Sequence, residues 1–215
     1  NSNTNTSSVT SSSSSSNSSS SSNSSNWGSC SLSSYGYFND QSLEGYGDDI
    51  ITWGGSGGVL SFSHSGSSNI NITTYDVNGG YLDLLVNEIG SYSGNLLYGI
   101  WADEVVEEFE IKADGSWDFK LLPISSGAKK ISGSSIGGKG DDVINTTSVC
   151  EYNKVQVTHN GSSNFVVMGI APKGPRSQSL MINEIGSYSG VVRLPENVEL
   201  LVVNADGNWN ITFNK

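Results

Sequence analysis

The chain has 215 residues, of which 10 are Lys or Arg and 21 are Asp or Glu, for a net charge of -11. A nucleic-acid backbone or an anionic membrane surface would be repelled by that balance. No run of 18 or more apolar residues is present, which excludes a spanning helix of ordinary length.

In chain order, residues 1–26 are almost wholly Ser, Asn and Thr, with Val9 as the one apolar side chain. Such a stretch buries too little apolar surface to offset the entropy of ordering it, and reads as a disordered tether. Its mean span as a flexible linker is roughly 28 Å. The sequence does not start with Met or a hydrophobic signal core, so the expectation is a mature or trimmed product. A polar spacer of this kind suits a protein lipid-anchored upstream of residue 1 or joined to another secreted module. Residues 27–41, with Cys30, form a candidate strap or extra strand.

From residue 42 onward the chain repeats itself. "SLEGYGDDII" (42–51) meets "SIGGKGDDVI" (135–144), and "HSGSSNINI" (64–72) meets "HNGSSNFVV" (159–167). "NEIGSYSG" stands at both 87–94 and 183–190, and "IKADGSWDF" (111–119) meets "VNADGNWNI" (203–211). The matched blocks keep their order, which marks a tandem duplication. Unit one is assigned to 42–122, a connector to 123–134 and unit two to 135–215.

Each unit reads as all-β. Val155, Val157 and His159 alternate with Gln156 and Thr158, and Phe165 alternates with Val167 in the same manner, between clusters of Gly, Asn and Ser. Period-two runs of this length are strands. Seven strands per unit are expected, the first of them near 49–53 and 142–148. "ADEVVEEFEI" competes as a helix, but its counterpart "PENVELLVVN" is strand-like, and the pair is taken as strand. Seven short antiparallel strands fit a small β-sandwich of immunoglobulin-like or jelly-roll type. Units this small are marginal alone. Packing of one on the other, or a Cys30–Cys150 disulfide, would compensate; the alternative for the cysteines is two separate thiols.

Four sets of residues are candidates for chemistry. His64 and His159 occupy equivalent places before a Gly-Ser-Ser-Asn turn, where an imidazole can bond turn backbone and complete the core; no cysteine or second histidine stands near either at metal-ligand spacing. The paired acids Asp48/Asp49 and Asp141/Asp142, with Glu88 or Glu184 across the sheet, are the candidate metal ligands, and a structural calcium is the ion their oxygens would hold. Adjacent carboxylates do not make a glycosidase pair, which needs two acids opposed across a cleft. Repetition of the whole set in both halves argues for scaffold, so the expectation is no enzyme. Trp53, Tyr75, Tyr81, Tyr98 and Trp101, all in unit one, are candidate sugar-stacking rings, whereas the matched Trp117 and Trp209 are expected in the core. "NEIGSYSG" reads as a strand-to-strand corner, its glycines allowing positive φ and Tyr92 and Tyr188 offering their hydroxyls to backbone.

The run "GDD(V/I)I…H(N/S)GSSN…NEIGSYSG…ADG(S/N)W" resembles a β-sandwich repeat of secreted and lipid-anchored bacterial proteins. The resemblance spans both units and implies an extracellular accessory module, with no catalytic residue to carry over. The expected function is a non-catalytic interaction or structural module at the cell surface, its partner a surface glycan or protein. The alternative is a carbohydrate-binding module accessory to a secreted enzyme, using the rings of unit one.

Overall fold

The computed structural model describes residues 31–32, 35–101, 104–171 and 177–215. The tether over 1–26 and Cys30 lie outside the described residues.

Among the described residues unit one contains eight strands: β1 (Gln41–Tyr46), β2 (Asp49–Thr52), β3 (Gly58–His64), β4 (Asn69–Tyr75), β5 (Tyr81–Ile89), β6 (Tyr92–Tyr98), β7 (Glu108–Lys112) and β8 (Ser116–Leu122). They form two four-stranded sheets, ordered β1-β8-β3-β6 and β2-β7-β4-β5. The antiparallel partners are β1 with β8, β2 with β7, β3 with β6 and β4 with β5. A chain that pairs first with last, and so inward to a β4–β5 tip, is one long hairpin wound into a sandwich. That is the jelly-roll wiring, and it decides between the two topologies left open by the sequence.

The connector follows, with a single helical turn α1 (Ile124–Gly127) and the two-residue β9 (Lys129–Lys130). Unit two then repeats the pattern with β10 (Ser135–Lys139), β11 (Asp142–Asn145), β12 (Lys154–His159), β13 (Asn164–Ala171), β14 (Ser177–Ile185), β15 (Tyr188–Arg193), β16 (Leu200–Ala205) and β17 (Asn208–Asn214). Its sheets are β10-β17-β12-β15 and β14-β13-β16-β11-β9, the connector strand joining the second in parallel with β11.

The count of seven strands per unit is therefore corrected to eight. The missed strands, β1 and β10, carry glycines that lower any strand signal. Gly45 and Gly138 are there for packing: each sits directly across the ladder from Trp117 or Trp209, and a Cβ at either would run into that indole. No residue described before Gln41 is in a strand, so the strap is irregular. Leu32 and Tyr35 pack against the apolar cluster of Val59, Ile124, Ala128, Val143, Ile170 and Leu200, and Phe38 meets Trp53 edge-on at 4.8 Å.

Each unit has its own core. In unit one Phe62, Phe109 and Phe119 are buried and meet edge-to-face, with Trp117 in the same cluster. In unit two Phe165, Phe213 and Trp209 serve the same purpose. A third cluster lies between the units and joins Val59, Ile124 and Ala128 to Val143, Ile170 and Leu200.

That third cluster exists because the same sheet face carries different side chains in the two units. On the outside of unit one's second sheet, Ile50 stands beside Glu110, Thr73 opposes Glu110, and Tyr75 opposes Glu108. At the same ladder positions unit two has Val143 beside Val202, Met168 opposing Val202, and Ile170 opposing Leu200. A face of carboxylates is solvated, whereas a face of aliphatic side chains needs a cover, and unit one supplies it.

Candidate functional site

In both units the repeated motifs meet at one end of the sandwich. His64, fully buried in its side chain, directs Nδ1 at the carbonyl of Gly90 at 2.9 Å, and His159 does the same to Gly186 at 2.8 Å. A carbonyl only accepts, so Nδ1 carries the proton and donates. Nε2 faces Asp114 Oδ1 at 3.4 Å, or Asp206 Oδ1 at 3.3 Å, too long and too poorly aligned for a good hydrogen bond.

Those aspartates are held by the turn itself. Asp114 Oδ2 accepts from the backbone N–H groups of Ser67 and Ser68, and Asp206 Oδ2 from those of Ser162 and Ser163. The backbone donor of Ser67, or Ser162, is the main cause that holds each carboxyl below the ordinary aspartate range. The indoles close the same end: Trp117 Nε1 donates to the Gly47 carbonyl and Trp209 Nε1 to that of Gly140, both at 2.9 Å. Asp114 and Asp206 were not singled out in the sequence, although their place in the repeated "ADG" block was the available signal.

The corner octet divides by residue. Gly90 and Gly186 adopt φ of 90° and 87° and need to be glycine for that reason. Gly94 and Gly190 do not have positive φ; each instead leaves room for the hydroxyl end of Tyr92 or Tyr188, which a Cβ would strike. The tyrosine rings lean on Phe62 and Phe165. The expectation that both hydroxyls bond backbone is corrected. Tyr92 donates to the Asp141 carboxylate of the other unit at 2.7 Å, and the Tyr188 hydroxyl has no hydrogen bond among the described residues. Asn87, Glu88 and Ile89 are exposed, as are Asn183, Glu184 and Ile185, and nothing in the structure explains why these three letters stay the same.

Each of the four candidate metal ligands is engaged by the protein itself. Asp48 accepts from Ala113 N–H, and Asp49 from the N–H of Ile50. Asp141 takes Ala205 N–H and Asn204 Nδ2 on one oxygen and Tyr92 on the other. Burial raises its carboxyl above the ordinary range, and those three donors pull the other way. Asp142 accepts from Asn95 Nδ2 and pairs with Lys129 at 3.1 Å. Glu88, although exposed, is partly desolvated by its neighbours, and that, followed by the charges of Asp141 and Asp206, raises its carboxyl. Among the described residues no group of three or more His, Cys, Asp or Glu is placed to hold a metal ion.

The candidate sugar-stacking rings do not make one platform. Tyr98 is buried against Phe109 in the core of unit one, and its hydroxyl has no hydrogen-bond partner among the described residues. Trp53 is edge-on to Phe38 and donates Nε1 to the Ser56 carbonyl. Tyr75 donates to Glu110 Oε2 at 2.9 Å on the solvated sheet face, with exposed Tyr81 as its ladder neighbour. Trp101 reaches the boundary between the units, where it joins the third apolar cluster and, with Tyr98, lines a cleft of about 270 Å³. The two walls of that cleft come from β5, β6 and the stretch after it in unit one, and from β13, β14 and β16 in unit two.

Cys150 is disulfide-bonded, and no described cysteine is free. No helix is long and apolar enough to cross a membrane among the described residues. Neither the protein-family models nor the curated proteins that were compared match this chain.

Proposed function

We propose that this chain is a non-catalytic interaction or structural module that works outside the cell or anchored at its surface. One observation carries the reading. In each unit the histidine and the "ADG" aspartate, the polar pair best suited to catalysis, are committed to closing turns: His64 to Gly90, and Asp114 to Ser67 and Ser68. The imidazole is buried and offers no open nitrogen to a substrate. The extracellular part of the reading is supported by the disulfide at Cys150, since such bonds persist in oxidising compartments, and by the likeness of the repeated motifs to those of secreted and lipid-anchored bacterial proteins. A partner would be a surface glycan or protein; the net charge of -11 disfavours nucleic acid.

The test is to incubate the protein with a glycan panel and with polysaccharides, and to follow both retention and product. The expected result is binding with the ligand recovered unchanged. Product that accumulates in proportion to protein and disappears with His64→Gln or His159→Gln would overturn the reading. A second reading, an accessory carbohydrate-binding module, is favoured by Trp101 at the cleft, not by a row of rings.

A further inference from the structure

The junction inside the chain packs the outside of unit one's first sheet on the outside of unit two's second sheet. In unit one the contact row runs across β8, β3 and β6 as Leu122, Val59 and Leu97, and it joins Val143, Ile170 and Leu200 of unit two in one cluster. Two hydrogen bonds flank the row. Asn95 N–H donates to the Asp141 carbonyl at 3.0 Å, and the Tyr92 hydroxyl donates to the Asp141 carboxylate at 2.7 Å. Because the units are copies, each has both kinds of face, and the junction uses only one from each. The first sheet of unit two and the second sheet of unit one are left over.

We propose that these two remaining faces dock on each other between copies, so that unit two of one chain packs on unit one of the next. The assignment rests on the interaction-module reading and gives it a partner, a second copy of this chain. Its polar link is already in place, since Tyr188 matches Tyr92 and Asp48 matches Asp141 in the repeat. The Tyr188 hydroxyl has no hydrogen bond among the described residues. Exposed Asp48 accepts Ala113 N–H on Oδ1, as Asp141 accepts Ala205 N–H on Oδ1, and its Oδ2 stands where Asp141 takes the Tyr92 hydroxyl. The same geometry brings Val191, at the place of Asn95, beside Ile50, at the place of Val143; they are 63% and 59% exposed.

The contact row becomes Asn214, Lys154 and Arg193, and the residues it meets become Ile50, Tyr75 and Glu108. Aliphatic contacts of the inner junction are thus replaced by cations on one face and carboxylates on the other, which favours this pairing and repels like faces. Polar outer faces also keep terminal repeats soluble. Solubility accounts for the charges, but not for the Tyr188 hydroxyl, for which Gly190 leaves room. Between copies the connector that holds the inner junction together is missing, so binding is weaker, in the micromolar to millimolar range. A head-to-tail contact does not close on itself at two copies, and oligomers grow with concentration.

The experiment follows the full chain by sedimentation velocity from about 10 μM to about 1 mM, in about 0.15 M salt, where net charge is screened beyond roughly 8 Å. The mean mass rises with concentration and passes that of a dimer. Tyr188→Phe keeps the Tm of dilute protein and weakens association by about fivefold or more. Lys154→Ala with Arg193→Ala in one chain, and Glu108→Ala in another, each weaken it at least as much. An equimolar mixture of the last two gives a 1:1 pair and little that is larger, because each supplies the intact face that the other lacks. A thermal melt checks folding of every variant. A monomer throughout, a dimer that does not grow, association indifferent to the variants, or a mixture that stays monomeric overturns the docking. Each of these leaves the interaction-module reading standing, which fails instead if a glycan is turned over.

Discussion

Replacing Gly90 by alanine isolates the backbone requirement of the repeated corner. At φ of 90° an L-residue is strained, yet a Cβ at this position meets nothing within 4 Å. The loss is then conformational alone, about 1–2 kcal/mol. If the strain turns the Gly90 carbonyl away from the buried His64 Nδ1, an unsatisfied donor adds roughly 1–3 kcal/mol. The third apolar cluster couples the units, so one transition is expected, and each kcal/mol then lowers Tm by about 2–4 °C. Alanine at Gly90 should lower Tm by about 2–8 °C from strain alone, and up to about 20 °C if the histidine contact is also lost. Valine, with a branched Cβ, should cost more. Gly186→Ala should act alike, and the double variant should add to within about 0.5 kcal/mol, because the two sites share no partner. Circular dichroism melts of the three variants, with exposed Ser91→Ala as control, make the measurement. An unchanged or raised Tm for Gly90→Ala would refute the corner account, since no side-chain contact remains to explain the glycine.

The two corner tyrosines offer a differential test. Tyr92→Phe should cost about 1–3 kcal/mol, because its hydroxyl serves a charged acceptor across the junction, while Tyr188→Phe should be neutral within about 0.5 kcal/mol; equal effects in chemical denaturation would contradict the junction contact. Acid stability should depend on Asp114 and Asp206. Their carboxyls are lowered on folding, so their contribution is present above the unfolded value of about 3.9 and is lost as pH falls toward the folded value; Asp114→Asn with Asp206→Asn should flatten the fall of Tm below about pH 4. Asp141 works in the opposite sense, since burial raises it: its contribution is present below the unfolded value and lost as pH rises through the folded one. Asp141→Asn should therefore hold or raise Tm at neutral pH, whereas Asp141→Ala, which strands the donors of Tyr92 and Ala205, should lower it. Met168→Lys puts a charge into the junction and should split the melt into two transitions, which calorimetry would detect.

Period-two alternation and internal repetition carried the all-β class, because both are local properties of a strand's two faces. The repeated glycines also carried information, but their sequence did not separate three physical duties. Gly90 is a backbone conformation, Gly45 is space under an indole and Gly94 is space beside a tyrosine hydroxyl. Only the first resembles a turn signal, and β1 and β10 were missed because glycines of the second kind look like turns. The candidate rings show the same limit: Tyr98, Trp53 and Trp101 are alike as letters, while burial, an edge-on neighbour and a cleft wall are properties of what each one faces.

The duplicated sequence by itself determined two all-β units with the same buried pattern, since alternation selects which side of each strand must leave water. Only the tertiary structure decided what the other side does. The change from Glu108 and Glu110 to Leu200 and Val202 is visible in the letters, but its meaning depends on ladder partners far away in the chain, Tyr75 and Thr73 in one unit and Ile170 and Met168 in the other. Assembled by the jelly-roll wiring, the carboxylates form a face that stays in water and the aliphatic residues a face that must be covered. The same corner octet therefore ends as a link between units at Tyr92, whose hydroxyl meets Asp141, and at Tyr188 as a hydroxyl with no hydrogen bond among the described residues.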